Sequence, residues 1–266
     1  MRLQLKLKTK QTYLPINYNY PLSAAIYKLL QFGSQEFAQF LHSVGFKSQN
    51  RIYKLFTFSL KFNYDRIENN LFHLSSDELV VVISSPSIDD FIRNVVIGSL
   101  KRGKLELLHK DAQLYLEIEQ MSESPHPNLS SNCNFKLLSP LVLSTKTERD
   151  NKLTQHFFEY YEDINEISRV FNNNLINKYE AIYNTNYEGE PLKFNWLTDY
   201  IQKQLKNNKS IKRLIKIEKP NNPTINIIAN NIPFSVSGNV DLINVGYEAG
   251  FGEKNSMGFG MAQILK

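Results

Sequence analysis

Five histidines, His42, His73, His109, His126 and His156, are the side chains of this 266-residue chain best matched to proton transfer near neutral pH. An unperturbed imidazole titrates at about 6.5. The one cysteine, Cys133, offers neither an internal disulfide nor a metal cluster. His42 has a setting the other four lack. It falls away from the apolar stripe Phe37, Phe40, Leu41 and Val44, and the cations Lys47, Arg51 and Lys54 follow it closely. An imidazole among cations suits acid–base work on a phosphodiester. It is equally what an exposed histidine at a helix end looks like. The remaining four read as surface or strand-edge residues.

A second stretch with chemistry in it is GYEAGFGEKNSMGFGM, 246–261. Six of the eleven glycines lie between Gly238 and Gly260, and Gly250-Phe251-Gly252 and Gly258-Phe259-Gly260 bracket the polar insert EKNSM. Such density implies positive φ angles or backbone pressed against another group. One reading is a phosphate cradle, with Lys254, Asn255 and Ser256 as added donors. The other is a tight turn before a last strand. Nucleotide motifs fail on spacing: there is no GxxxxGK[ST], and Asn255 stands where a dinucleotide fingerprint needs its third glycine.

These residues need elements to position them. Leu3, Leu5 and Leu7 alternate with charged and amide residues, which predicts a half-buried strand over 2–9. Pro21 opens a helix with Leu22, Ala25, Ile26, Leu29 and Leu30 inward and Tyr27 off the centre of that stripe. Ser34 caps a second, carrying Phe37, Phe40, Leu41 and Val44 inward, ended by Gly45. The run YKLFTFSLKF predicts a strand with Phe56, Phe58, Leu60 and Phe62 on one face, and LVVVIS (79–84) a more buried one. Parity puts Lys54 on the side of Phe56, so it must lie at the strand's start, beyond the core; a structural, snorkelling lysine fits there as well. A helix after Ser87, with Phe91, Ile92, Val95, Val96 and Leu100, and a strand or hairpin over 105–119 complete a β-α-β-β-α-β order.

SESPHPNLSSN (122–132) is the most loop-like composition and marks the domain boundary. Beyond it we expect a strand over 135–143, then one or two long amphipathic helices between 151 and 208 bearing Phe157, Phe158, Tyr160, Tyr161 and Trp196. Strands near 211–218 and 225–236, a helix near 240–248, the glycine loop and a strand over 259–265 follow. Length and 42% apolar content suit two domains. A formal charge of +5 and a pI near 9.0 lean toward a polyanionic partner. The amino-terminal pattern reads as neither signal peptide nor membrane span, and a reducing cytoplasm fits the cysteine count.

In order along the chain, LPINYNYPLSAAIYKLL, EFAQFLHSVGF, KLFTFSLKF, FKLLSPLVL and GYEAGFGEKNSMGFGM resemble segments of the CRISPR-associated repeat-cleaving endoribonucleases of the RAMP superfamily. The resemblance implies an α+β chain of two tandem ferredoxin-like (RRM-like) domains, 1–124 with the catalytic residues and 133–266 with the glycine-rich loop. It implies metal-independent cleavage of a CRISPR repeat transcript, single-stranded or a short hairpin, with no cofactor. The products would be a 2′,3′-cyclic phosphate and a 5′-hydroxyl. Such chemistry needs a base for the 2′-hydroxyl, an acid for the 5′-oxygen and a cation for the transition state.

By the same resemblance His42 is the catalytic histidine, Tyr27 a base or an orienter of the 2′-hydroxyl, and Lys54 the stabilising cation. Gly250, Gly252, Lys254, Asn255, Ser256, Gly258 and Gly260 form the RNA-binding loop; Lys47 and Arg51, read from their charge, would extend a phosphate-binding track. An interference effector complex and a second copy of the chain are partners it leaves open; a membrane is not. A non-catalytic RNA-binding RAMP subunit is the alternative reading, and a metabolic or regulatory domain on the same scaffold a third.

Overall fold

Leu3, Leu5 and Leu7 are withdrawn from solvent, each at 3% exposure or less, as their alternation with Gln4, Lys6 and Lys8 requires. The structure, a computed structural model, describes residues 1–49, 51–110, 112–149, 152–218 and 223–265. The strand Arg2–Lys8 lies at the centre of an antiparallel sheet ordered Thr57–Lys61, Glu78–Ser84, Arg2–Lys8, Gln113–Ser124, Lys104–Leu108. Helices α1 (Asn19–Gly33), α2 (Gln35–Ser43) and α3 (Arg93–Arg102) cover one face through Leu22, Ile26, Leu29, Leu41 and Val95. Second, third, first and fourth principal strands in that order make a ferredoxin-like sheet. Ser34 caps α2 by accepting from the Phe37 amide at 3.2 Å. Val44, expected inside, is 44% exposed: it is the residue that closes α2, beyond the helix's packed turn.

The second half repeats the plan. Its sheet runs Lys193–Trp196, Phe234–Ser237, Asn132–Leu137, Ala262–Ile264. Its crossing helices are α4 (Ile164–Tyr183) and α6 (Val240–Ala249), with the shorter α5 (Thr198–Lys206) between them. Three expectations need correction. Phe157 ends a strand, Lys152–Phe157, which pairs with Ser144–Arg149 in a hairpin, and Phe158, Tyr160 and Tyr161 lie in the loop after it, so these aromatics are on no helix. Trp196 ends the short second strand, not a helix. Finally, 212–217 and 225–230 pair with each other as a ribbon outside the four-stranded sheet, tied back by a bridge from Asn230 to Leu141. Pro233, which has no N–H for a ladder, interrupts 225–236, and Phe234–Ser237 is the sheet strand.

The halves meet through polar pins and a small apolar cluster. Arg2, 5% exposed, donates to the Tyr247 carbonyl at 2.7 Å and lies over that ring at 3.6 Å, with burial holding its pKa down at about 10. Val142, Ile217, Ile227, Ala229 and Phe259 pack together against Tyr20 of α1.

Candidate functional site

The rings of Tyr27 and His42 meet edge to face, centroids 6.2 Å apart, across the junction of α1 and α2. Tyr27 also abuts Phe56 at 5.7 Å. It is half-buried, and burial pushes its hydroxyl up to about 12, so it keeps its proton at neutral pH. His42 is exposed in the last turn of α2. There the ammonium of Lys54 donates to the carbonyls of Leu41 and His42, the second at 2.8 Å. A cation is favoured at a helix carboxyl end, and partial burial lowers the Lys54 pKa. The parity problem at Lys54 is solved by Leu55, whose φ of +50° breaks the strand alternation before Phe56. Its carbonyl is held by the Ser85 hydroxyl at 2.8 Å. Sequence alone gives no sign of that kink.

Lys54 opens onto a cleft of about 330 Å³ whose lining includes Arg51, Tyr53 and Lys54 on one side and Glu253, Lys254, Asn255 and Ser256 on the other, with Asn174 and Lys178 of α4 at its base. His42 is not in that lining; it stands behind Lys54. Lys47 is exposed on the ribbon Phe46–Ser48/Arg51–Tyr53, also outside the lining. Glu253 lies 3.8 Å from Arg51 and accepts from Ser144. The loop is tied to α1 as well: Ser23 donates to the Ser256 carbonyl at 2.7 Å and Asn19 to that of Met257 at 3.0 Å. Tyr27 is one turn beyond Ser23 on the same helix face.

Gly250, Gly252, Gly258 and Gly260 lie beneath this surface, all buried with positive φ. A Cβ at Gly260 would stand 1.8 Å from the Phe251 carbonyl oxygen, and one at Gly252 2.4 Å from that of Val142. Their form is dictated by close internal packing. The amides of Gly258 and Gly260 donate to the carbonyls of Asn255 and Pro140, both at 2.8 Å. Asn255, 8% exposed, clasps the two glycine units by donating to the carbonyls of Phe251 and Phe259, both at 3.0 Å. Lys254 and Ser256 are the partly exposed side chains of the insert's centre.

The other histidines have partners elsewhere. His73 packs on Tyr13 at 4.7 Å, His126 contacts Asn244 at 2.9 Å, and His156 contacts Glu162 at 2.7 Å. His109 lies 3.8 Å from Glu218. Sequence reasoning missed Lys178 altogether. Its amino group, 2% exposed, donates to the carbonyls of Gly250 at 2.6 Å and Gly252 at 2.7 Å and to Asn255 Oδ1 at 2.7 Å. Burial pulls its pKa down to about 7, against the pull of Glu253. The available signal was register: Lys178 falls in helical phase with the buried Phe171 and Leu175.

This geometry joins one candidate acid–base group and a cation from the first half to a loop from the second. Two family models match the chain: CRISPR-associated protein Cas6, N-terminal, over 13–119, and CRISPR associated protein Cas6, C-terminal, over 123–264. The chain belongs to the Cas6 family. A CRISPR-associated endoribonuclease Cas6 of Methanocaldococcus jannaschii is 32% identical over 98% of this chain and 91% of its own length. One from Pyrococcus furiosus is 26% identical over 99% and 88%. Among solved structures, a CRISPR associated protein Cas6 is 30% identical with a TM-score of 0.75, covering 100% of this chain and 99% of that one. A structure described as an RAMP protein binding different RNA substrates has a TM-score of 0.77 at 21% identity, with 100% of both chains covered, and supports the fold alone. Family membership makes the chain one of the CRISPR-associated endoribonucleases. Among the described residues, no helix is long and apolar enough to cross a membrane.

Proposed function

We propose that this Cas6-family chain cuts CRISPR precursor transcripts within the repeat, without a metal, by attack of the 2′-hydroxyl on the adjacent phosphate. The observation that carries this reading is the Tyr27–His42–Lys54 cluster: two rings 6.2 Å apart and an ammonium bonded to the histidine's own carbonyl. His42 supplies the cluster's imidazole, the side-chain type suited to proton transfer, and positioned acid–base catalysis contributes roughly 10²–10⁴-fold. Tyr27, kept neutral by burial, donates a hydrogen bond that orients the attacking or leaving oxygen. Lys54 has three N–H donors; two hold α2 and the third is directed to the phosphorane-like transition state. The proton lost by the 2′-hydroxyl and the one gained by the departing 5′-oxygen are exchanged through His42, and a 2′,3′-cyclic phosphate and a 5′-hydroxyl remain.

On the opposite wall, Lys254 and Ser256, with Arg51 across from them and Lys47 outside the cleft on the same ribbon as Arg51, contact the RNA backbone. Gly250, Gly252, Gly258, Gly260 and Asn255 give the loop its form. The catalytic unit is 1–124 and the loop-bearing unit 133–266. The reaction takes place in the cytoplasm, and the guide RNA passes to an interference effector complex. The test is incubation with the repeat RNA of the same genome in excess chelator, mapping the cut and its ends. Cyclic phosphate and 5′-hydroxyl ends are expected; a strict metal requirement would overturn the chemistry.

A further inference from the structure

Lys178 is a nearly inaccessible amine at the base of the cleft, with no part in the reaction proposed above. Burying a lysine is costly unless fixed partners meet it, and a methionine or leucine would serve helix packing alone. An ammonium has three N–H donors, and three oxygens lie within 2.7 Å of Lys178 Nζ. All three belong to the glycine loop. Because Asn255 in turn clasps the carbonyls of Phe251 and Phe259, a single amine braces both glycine–phenylalanine–glycine units.

The same helix holds the other wall. Asn177 and Glu180, flanking Lys178, accept from the Ser48 hydroxyl at 3.4 and 2.8 Å. Ser48 lies on the ribbon that leads through Tyr53 to Lys54. Helix α4 therefore spans from the loop to the segment carrying the candidate catalytic cation. We propose that Lys178 is a positioning residue for RNA cleavage: it sets the glycine loop at a fixed separation from the Lys54 wall so that the bound phosphate meets the Lys54 ammonium. This assignment rests on the endoribonuclease reading above. At 2% exposure Lys178 acts through the loop and touches no RNA.

The test is Lys178→Met, close in shape but without donors. It combines single-turnover cleavage of repeat RNA, equilibrium RNA binding and hydrogen exchange over 250–260. A fall of about 30-fold in the rate constant is expected, because misplacement by an ångström costs up to about 10²-fold. Binding should stay within about threefold, and exchange should quicken in the loop but not in the Arg2–Lys8 strand. A merely structural role would lower the reacting amplitude and leave the rate constant of the folded fraction unchanged. A wild-type rate constant, or unaltered loop exchange, overturns the proposal. Should Lys178→Met fail to fold, Lys178→Gln, which keeps two donors, takes its place with a smaller loss expected; full rate overturns the proposal there too. If the wild-type chain cuts no repeat, the endoribonuclease reading fails, while faster loop exchange in the variant still supports Lys178 as the brace.

Discussion

Lys54 is bonded to His42 through the backbone: its ammonium donates at 2.8 Å to the histidine's own carbonyl, twelve residues earlier in the chain. One side chain thus closes the exposed end of α2 and sets positive charge at the main chain of the histidine. The two roles separate on mutation. Lys54→Ala should lower repeat cleavage by about 10²-fold, the scale of losing one transition-state donor. It should also cost about 1 kcal/mol of stability through the helix end. Single-turnover kinetics and denaturant titration read the two effects independently.

Tyr27 offers a sharper question about mechanism. With its hydroxyl held at about 12 by burial, it stays neutral through the working range. Tyr27→Phe should therefore scale the pH–rate profile down by about 10-fold, within the range of an acid–base or orienting contact, and keep its shape. Loss of a limb of the profile would make Tyr27 the base.

Lys178 makes stability depend on pH in a direction that can be worked out. Its folded pKa is about 7, below the ordinary 10.5. Between those values the unfolded chain binds a proton that the folded chain does not, so stability rises with pH, by up to about 1.4 kcal/mol per unit. Below about 7 the contribution is constant. Denaturant midpoints from pH 7 to 9.5 should climb for the wild type and flatten for Lys178→Met. A wild-type midpoint that is level across this window would contradict a buried, proton-shedding lysine.

Glycines with the same sign of φ should respond unequally. Gly103, at φ +67°, has nothing within 4 Å of an added Cβ, whereas at Gly260, φ +72°, the added carbon meets backbone at 1.8 Å. Gly103→Ala should cost about 1 kcal/mol from the left-handed conformation alone. Gly260→Ala should cost at least about 3 kcal/mol, or prevent folding, because strain and overpacking add. Equal melting temperatures for the two variants would contradict the packing described for the loop.

Much of this was legible in the sequence because local periodicity matched global burial. Leu3, Leu5 and Leu7, the α1 stripe and the Ser34 cap all lie where alternation and helical phase put them. What was illegible depends on contacts between distant segments. Residues 152–157 carry few apolar side chains, so their pairing with 144–149 leaves no clear period. Lys178 reads as a surface charge until Gly250, Gly252 and Asn255 are brought to it. The kink at Leu55, which turns Lys54 toward α2, is a backbone state that no side-chain pattern encodes. The glycine loop invited a reading as an RNA cradle, yet its glycines are spent on fitting against Val142 and Phe251, leaving the surface to Lys254 and Ser256.

The most direct measurement pairs cleavage with binding for His42→Ala on the repeat RNA of the same genome, in excess chelator. Removal of the imidazole should reduce the single-turnover rate constant by at least about 10²-fold while affinity for the repeat stays within a few-fold. Undiminished cutting by that variant would contradict a mechanism built on His42.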